Sequence, residues 1–381
     1  MSMNPIPYGR QQITAEDIEA VNRVLQSDFL TQGPAIEQFE QAFAKVVNAP
    51  YAVAVSNGTT ALHLAAVVSG MEAGKKAIVP AITFAASANC IKYCGGEPVF
   101  ADIDSNTFTL DLNHTEDLLK KDSSISCIVP VDFAGYPVNM EELKKLADKY
   151  NCTIIEDACH APGGYFTDSN GNNQYCGNGA YGQTAIFSFH PVKHIACGEG
   201  GMVTTSDVNV YKRLQTLRTH GITKNPADLH ENHGGWYYEM QELGFNYRLP
   251  DILAALGTSQ ITRMTGNLQR RRELAARYNT LLQGLPVTLP ELHPGHAWHL
   301  YVIQTEKRKE LYDYLRSEQI YAQVHYIPVP HLPYYQSLGW KKGNWPAAEK
   351  YYEQCLSIPM YHSLTNEQQD FVVEKINNFF S

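Results

Sequence analysis

The feature that most constrains the fold is an alternation of short apolar segments with helical stretches, which begins near residue 50 and continues to about residue 205. The apolar segments are rich in β-branched residues, as strands covered on both faces are. They lie at 51–56, 76–82, 97–103, 125–133, 152–158, 184–189 and 200–205. Among the helical stretches between them, 139–150 places Leu143, Leu146 and Ala147 on one face. The alternation predicts an α/β domain with a mostly parallel central sheet.

The pattern changes after Pro250. Residues 251–284 predict one long, arginine-rich helix. Strands are expected within 296–305 and 320–329, with a helix between them and two helical stretches at the end of the chain. The chain of 381 residues is long enough for two cores. We therefore predict a large domain over residues 1–249 and a smaller C-terminal α+β domain over residues 250–381.

Composition narrows the possible partners and location. With 39 acidic and 30 basic residues the formal net charge is −9, which argues against a nucleic-acid partner. The first residues, MSMNPIPYGRQQ, lack the apolar core of a signal peptide, and no apolar run is long enough to span a bilayer. The eight cysteines show no metal-type or disulfide-framework spacing. We expect a cytoplasmic protein with reduced thiols, no metal and no membrane partner.

A candidate anion site lies at the predicted strand-to-helix junction of residues 56–60, which read SNGTT. Glycine and hydroxyl residues at the start of a helix present free backbone N–H groups and the positive end of the helix dipole to a phosphate. The alternative is an ordinary helix cap, which serine, threonine and asparagine also form.

Two further segments carry candidate chemistry. Asp157 stands at the carboxyl end of a buried strand, where ligands collect in open α/β sheets, and His160 follows three residues later. Such a carboxylate can pair with a cationic ring nitrogen, although a structural helix cap is the alternative. Lys193 lies among apolar residues before a glycine-rich turn, which favours a desolvated, nucleophilic amine over an ordinary surface lysine. The order of anion site, acid and lysine is the order that a pyridoxal 5'-phosphate (PLP) site needs.

Motifs along nearly the whole chain resemble those of the DegT/DnrJ/EryC1/StrS aminotransferases. The matching segments include SNGTTALH, PAITFAASAN, EDACHA, FSFHPVKHIACGEGG and LGFNYRLPDILAALG, in the same order. The resemblance implies a PLP enzyme of the aspartate-aminotransferase fold (fold type I) that acts on nucleotide-linked ketosugars. Within the family, SFHPVKHI, WYYEMQELGFNYR and QVHYIPVP are most similar to enzymes of pseudaminic acid biosynthesis. Those enzymes aminate C4 of a UDP-linked 2-acetamido-2,6-dideoxy-4-ketohexose with L-glutamate as donor.

The resemblance also implies a role for each matching residue. Lys193 corresponds to the Schiff-base lysine, and Asp157 to the acid that keeps the pyridine nitrogen protonated. Further cofactor contacts are implied for Thr59, Thr60, Phe84, His160 and Ser188. Asn246 corresponds to an asparagine that reaches the phosphate in the neighbouring subunit, which implies a homodimer with shared active sites.

Substrate contacts are expected from aromatic and polar residues, for which packing in the core or at an interface is the alternative. They are His299, His325 and Tyr326, with Tyr8 and Arg10 near the pyrophosphate. The polar segment 219–241 is interpreted as a mobile loop that either covers the sugar nucleotide or remains surface.

One position departs from the family, and three alternatives remain open. Many members carry histidine where this chain has Asp132, so the role of Asp132 is open. The enzyme could aminate C3 or C4 of another UDP- or dTDP-linked sugar. It could be a sugar dehydratase that uses histidine instead of the lysine, which Lys193 opposes although His190 and His194 flank it. It could also be a non-catalytic member, which the retention of Lys193 and Asp157 opposes.

Overall fold

A computed structural model describes residues 5–381 of the chain. Its strands are β1 (Ile6–Pro7), β2 (Tyr51–Val55), β3 (Lys76–Pro80), β4 (Glu97–Ala101), β5 (Ile125–Ile128), β6 (Thr153–Asp157), β7 (Tyr165–Thr167), β8 (Asn173–Tyr175), β9 (Thr184–Ser188), β10 (Gly201–Thr205), β11 (Ile222–Thr223), β12 (Glu239–Met240), β13 (Tyr301–Gln304), β14 (Ile320–Tyr321) and β15 (Cys355–Ile358). Seven of them form the central sheet, in the order β2-β10-β9-β6-β5-β3-β4. Only β10 runs antiparallel to its neighbours in this sheet, so the predicted mostly parallel sheet is confirmed.

Helices cover the sheet and build the C-terminal part. They are α1 (Ala15–Leu25), α2 (Pro34–Val47), α3 (Gly58–Val68), α4 (Ala86–Tyr93), α5 (Leu112–Lys121), α6 (Met140–Lys149), α7 (Val208–Leu217), α8 (Asp251–Ile261), α9 (Met264–Leu281), α10 (Arg308–Ser317), α11 (Pro333–Ser337), α12 (Pro346–Gln354) and α13 (Asn366–Phe380). Single 3₁₀ turns lie at Phe133–Gly135 and Val329–His331.

Both faces of the sheet are buried, and successive strand residues enter different cores. In β2, Val53 shares a core with Leu62 of α3, whereas its neighbour Ala54 shares a core with Phe43 of α2. The continuous apolar character of the strands follows from this two-sided burial. Because both faces of the sheet are covered, the ends of the strands are where polar side chains can line a ligand site.

Local sequence explains where helices begin. The predicted helix over 139–150 is α6, which starts after Asn139 because the asparagine side chain accepts a hydrogen bond from the backbone N–H of Glu142. Its residues Leu143 and Ala147 are fully buried, as the spacing predicts.

The predicted single helix over 251–284 is wrong, because the structure has α8 and α9 with a break at Thr262 and Arg263. At the break the hydroxyl of Thr262 donates to the carbonyl of Ser259. The guanidinium of Arg263 is turned toward α1, where both its terminal nitrogens donate to the buried carboxylate of Asp17. These side-chain bonds replace the continuation of the helix.

The C-terminal part has a core of its own. That core consists of Ile6 and of buried residues between 274 and 376, drawn from α9, α10, α13 and the β13–β15 pair. Helix α8 instead packs on α1 and α2. A domain boundary at residue 250 stays a prediction.

The strand expected within 320–329 is limited to β14, and residues 322–328 run on without regular structure toward the central sheet. Pro328 and Pro330 lack the N–H groups that a longer strand would need. All eight cysteines are free. Across residues 5–381, each helix is too short or too polar to cross a bilayer.

Candidate active site

A cavity of about 470 Å³ opens where the parallel strands of the sheet end. Its walls are the β2–α3 turn, the segment between β3 and α4, the ends of β6 and β9, and the loop around Lys193. Two segments of the C-terminal part, which contain His299 and His325, close it from the other side. Long-range folding thus brings together side chains from the whole length of the chain.

The N-terminus of α3 forms one end of the cavity. Asn57 caps the helix by accepting a hydrogen bond from the backbone N–H of Thr60 at 2.9 Å. Within the described part of the chain, the N–H groups of Gly58 and Thr59 donate to no protein acceptor, and both residues line the cavity. A Cβ atom at Gly58 would lie 2.9 Å from the Cβ of Ser188, so glycine is needed for this close approach. The result is a cradle of two free N–H groups and two hydroxyls, those of Thr59 and Ser188, suited to a phosphate.

Asp157 lies at the end of β6, with its side chain facing the cavity. One carboxylate oxygen accepts a hydrogen bond of 2.8 Å from the hydroxyl of Ser87, and the other accepts one of 3.2 Å from the backbone N–H of Cys159. The Ser87 hydroxyl is itself 2.8 Å from that of Thr83, so a buried hydroxyl pair supports the acid. This arrangement fixes the orientation of a carboxylate that can pair with a protonated ring nitrogen.

Lys193 reaches the same cavity from the loop after β9. Burial lowers the pKa of its amine, while the negative charge of Asp157 acts in the opposite direction. Lowering the pKa increases the fraction of unprotonated, nucleophilic amine. Of the two flanking histidines, His190 is largely exposed but also lines the cavity, whereas the ring of His194 is buried and lies 2.7 Å from the carbonyl oxygen of Ala297.

Histidines and tyrosines form the wall opposite α3. The ring centres of His160 and His299 are 4.3 Å apart, and the hydroxyl of Tyr326 is 3.4 Å from Nε2 of His160. Burial lowers the pKa of both histidines well below the usual value, and it lowers that of His325 to about 3. Nδ1 of His160 accepts from the backbone N–H of Ala134, so the neutral ring carries its proton on Nε2, toward Tyr326.

Most of the sequence-predicted residues line this one cavity. They are Tyr8, Thr59, Phe84, Asp157, His160, Ser188, Lys193, His299, His325 and Tyr326. Phe84 is 61% exposed, which leaves its ring surface open to an aromatic ligand. Ser87 and Thr83 were not predicted. The only sequence signal for Ser87 is its position three residues after Phe84, one helical turn away.

Three predicted residues lie outside the cavity lining. The hydroxyl of Thr60 is turned back to the helix cap, where it accepts from the N–H of Asn57 and donates to the carbonyl of the same residue. Arg10 and Asn246 are exposed. Their roles stay predictions, as does any contact of Asn246 with a neighbouring subunit.

The residues present fit PLP. The phosphate cradle, the open ring of Phe84, the fixed carboxylate of Asp157 and the amine of Lys193 supply what the phosphate, ring, ring nitrogen and aldehyde of the cofactor each require. Together with a mostly parallel sheet covered by helices, they define a PLP enzyme of fold type I.

The chain belongs to the DegT/DnrJ/EryC1/StrS aminotransferase family, whose model matches residues 11–377. It is 36% identical over 384 aligned residues to the spore coat polysaccharide biosynthesis protein SpsC of Bacillus subtilis, covering 98% of this chain and 96% of that protein. PseC of Helicobacter pylori, described as an aminotransferase of pseudaminic acid biosynthesis, superposes with a TM-score of 0.90 at 29% identity and covers 99% of each chain.

Spr1654 of Streptococcus pneumoniae, described as a sugar aminotransferase by assignment and solved in its PLP form, superposes with a TM-score of 0.89 at 28% identity, over 98% of each chain. Its pyridoxamine-phosphate form gives a TM-score of 0.90 at the same identity, over 98% of this chain and 97% of that one. The chain is therefore a PLP-dependent sugar aminotransferase, and the dehydratase and non-catalytic alternatives are set aside.

Proposed function

We propose that this enzyme transfers the amino group of L-glutamate to C4 of a UDP-linked 2-acetamido-2,6-dideoxy-4-ketohexose. The product is UDP-4-amino-4,6-dideoxy-N-acetyl-β-L-altrosamine, for pseudaminic acid biosynthesis. The observation that carries the reaction type is the placement of Lys193 and Asp157 in one cavity with the phosphate cradle of α3. The choice of sugar is supported by the similarity to PseC over the whole chain.

PLP, when bound, supplies a ring that withdraws electrons from the substrate carbon beside it. The carboxylate of Asp157 is held by Ser87 and the N–H of Cys159, and it would keep a proton on the ring nitrogen. The free N–H groups of Gly58 and Thr59 would bind the phosphate and so fix the position of the cofactor.

Lys193 is the residue that moves protons. Its amine, with a pKa lowered by burial, accepts the proton that leaves Cα of glutamate. In the second half of the reaction the same amine delivers a proton to C4 of the sugar. Glutamate thus loses its amino group and gains an oxygen from water as 2-oxoglutarate forms. The ketone carbon of the sugar gains the amino group and releases its oxygen as water.

The histidine and tyrosine wall is proposed to bind the sugar nucleotide. Tyr8 packs on His325, with ring centres 4.9 Å apart, and Nδ1 of His325 lies 2.8 Å from the hydroxyl of Ser357. This packing presents polar edges to the cavity without placing a full charge there. Arg10, two residues beyond Tyr8, is proposed to contact the pyrophosphate.

We further propose an obligate homodimer in which Asn246 completes the phosphate site of the neighbouring subunit. Asn246 is exposed and is held by a bridge to Thr219, so its side chain is free to meet a second copy. The segment 219–241 carries exposed apolar side chains, among them Trp236, which is 74% exposed.

Location in the cytoplasm also stays a prediction.

Mixing two inactive variants tests the shared site. Lys193→Ala and Asn246→Ala subunits, each inactive as homodimers, should regain part of the activity when refolded together, because one site of each heterodimer is then intact. An Asn246→Ala homodimer with unchanged cofactor affinity would contradict the role across subunits.

A substrate panel tests the sugar. Purified enzyme with glutamate should aminate the UDP-linked 4-ketosugar named above faster than dTDP-linked 4-ketosugars or 3-ketosugars. The 36% identity to SpsC favours a second candidate, the amination of a different nucleotide ketosugar for a surface polysaccharide. Preference for a dTDP-linked sugar would contradict the first assignment and support the second.

A further inference from the structure

Three buried titratable groups lie on the face of the sheet opposite the cavity. They are Asp132, Glu156 and Cys176, whose ligand atoms lie within 4.8 Å of one another. Their exposed fractions are 0%, 3% and 2%. Successive strand residues point to opposite faces, so Glu156 lies behind the sheet while Asp157 faces the cavity.

Each carboxyl group has one hydrogen bond from the backbone. An oxygen of Asp132 accepts from the N–H of Val138 at 2.8 Å, and an oxygen of Glu156 accepts from the N–H of Gly177 at 2.8 Å. The second oxygen of Asp132 is fully buried and, within the described part of the chain, accepts no backbone hydrogen bond. The side chains that reach Asp132 are the carboxyl group of Glu156 and the thiol of Cys176, and a thiol is only a weak donor. Two ionised carboxylates would leave this oxygen unsatisfied and would repel each other at close range, whereas one proton between them satisfies it.

The electrostatic surroundings agree with a retained proton. Burial raises the pKa of Asp132 to about 7, and burial together with the charge of Asp132 raises that of Glu156 well above its usual value. The other titratable groups that face the pair are Asp157, Cys159 and Cys176. All three are acids, so none of them supplies positive charge to the pair.

The backbone connects this pair to the active site. The N–H of Asp132 donates to the carbonyl of Asp157 at 3.1 Å, and Glu156 directly precedes Asp157. The turn Phe133–Gly135 begins after Asp132, and its residue Ala134 donates to Nδ1 of His160 at 3.2 Å.

The same turn holds the segment that carries His299. Gly135 accepts a hydrogen bond of 2.8 Å from the N–H of Ala297, and Ala134 accepts one of 3.1 Å from the N–H of Leu300. A displacement of Asp132 would therefore also displace Asp157, His160 and His299.

We propose that Asp132 and Glu156 share one buried proton, and that this pair is a positioning element that fastens the turn Phe133–Gly135 to the strand carrying Asp157. The link to catalysis rests on the proposed function, whereas the shared proton does not. The proton is therefore tested on the cofactor-free protein, and the positioning role on the holoenzyme.

The first test compares unfolding equilibria of wild type and Glu156→Gln in denaturant. The glutamine amide donates to Asp132 without a titrating proton. The folded wild type binds one more proton than the unfolded chain. As the pH rises from about 5 to about 7, its folding equilibrium constant should therefore fall about tenfold per pH unit relative to that of the variant. Asp17→Asn is the control, since Asp17 is buried but paired with Arg263. The ratio of the folding equilibrium constant of Asp17→Asn to that of wild type should stay constant over that pH range. A constant ratio for Glu156→Gln as well would overturn the proposal.

The second test does not depend on a folded variant. The infrared spectrum of the wild-type protein at neutral pH should contain the C=O band of a protonated carboxyl group. Wherever Glu156→Gln or Asp132→Asn folds, that band should disappear. Absence of the band from the wild type would refute the shared proton.

The positioning role is tested on the holoenzyme by the pH profile of kcat. The alkaline limb of the wild-type profile should move or disappear in Glu156→Gln. Identical alkaline limbs would mean that the pair does not act on the site. If neither protein aminates the nucleotide sugar, the proposed substrate fails while the results on the proton still stand.

Discussion

Replacing Ser87 by alanine should slow amination without unfolding the protein. The Ser87 hydroxyl donates the shorter of the two hydrogen bonds to Asp157, at 2.8 Å, and it is fully buried. Asp157 would keep only the 3.2 Å bond from the N–H of Cys159, and the hydroxyl of Thr83 would lose its partner.

The size of the effect follows from the charge of the acceptor. A hydrogen bond to a charged group contributes about 1.5–3 kcal/mol, which corresponds to a factor of about 10–150 in an equilibrium or rate constant. We expect the rate of the glutamate half-reaction to fall about 10- to 100-fold, because a carboxylate that turns away holds the ring proton less well. Affinity for PLP should fall less, since the phosphate cradle of α3 is unchanged.

The assay is the change in visible absorbance of the bound cofactor when glutamate is added, followed in a stopped-flow instrument. Ser126→Ala is the matched control, because the Ser126 hydroxyl is also buried but has no hydrogen-bond partner among residues 5–381. The control should react within about twofold of wild type, since no hydrogen bond is lost. A rate for Ser87→Ala within about threefold of wild type would refute the support assigned to Ser87.

Three further variants test other parts of the site and fold. Asp157→Asn should keep PLP bound but slow amination severely, and near-normal turnover would show that the acid is misassigned. Burial holds the pKa of His325 near 3, so the unfolded chain binds a proton below about pH 6.5 that the folded chain does not. The free energy of unfolding should therefore fall as the pH drops from about 6.5 toward 3. Measured in denaturant at a series of pH values, the free energy of unfolding of His325→Gln should change less steeply with pH than that of wild type, by about 1.4 kcal/mol per pH unit. Equal slopes for the two proteins would contradict this. The fully buried guanidinium of Arg271 donates to the carbonyls of Trp298 and Met360, so Arg271→Met should lower the free energy of unfolding by about 2–4 kcal/mol, and an unchanged denaturant midpoint would contradict that role.

Features that depend on local pattern could be predicted from the sequence. Continuous apolar strands in alternation with amphipathic helices specify a sheet covered on both faces, and Asp157 and Ser188 then fall at the strand ends that form the cavity. Lys193 follows, because the loop that contains it leaves one of these strands.

Features that depend on tertiary contacts could not be predicted. Thr59 and Thr60 look equivalent in the sequence, but the helix cap takes the hydroxyl of Thr60 and leaves that of Thr59 in the cavity lining. At the break between α8 and α9, Arg263 binds Asp17, which lies 246 residues earlier in the chain, and no local pattern indicates that contact. The pairing of Asp132 with Glu156 depends on the neighbouring positions of β5 and β6, which no local pattern specifies.

The most direct test of the account is chemical and concerns Lys193. The holoenzyme is reduced with borohydride, digested, and its peptides are analysed by mass spectrometry. We expect the added mass of the reduced cofactor to lie on Lys193, and we expect Lys193→Ala to be folded, unlabelled and inactive. Labelling of a different lysine, or substantial amination by Lys193→Ala, would contradict it.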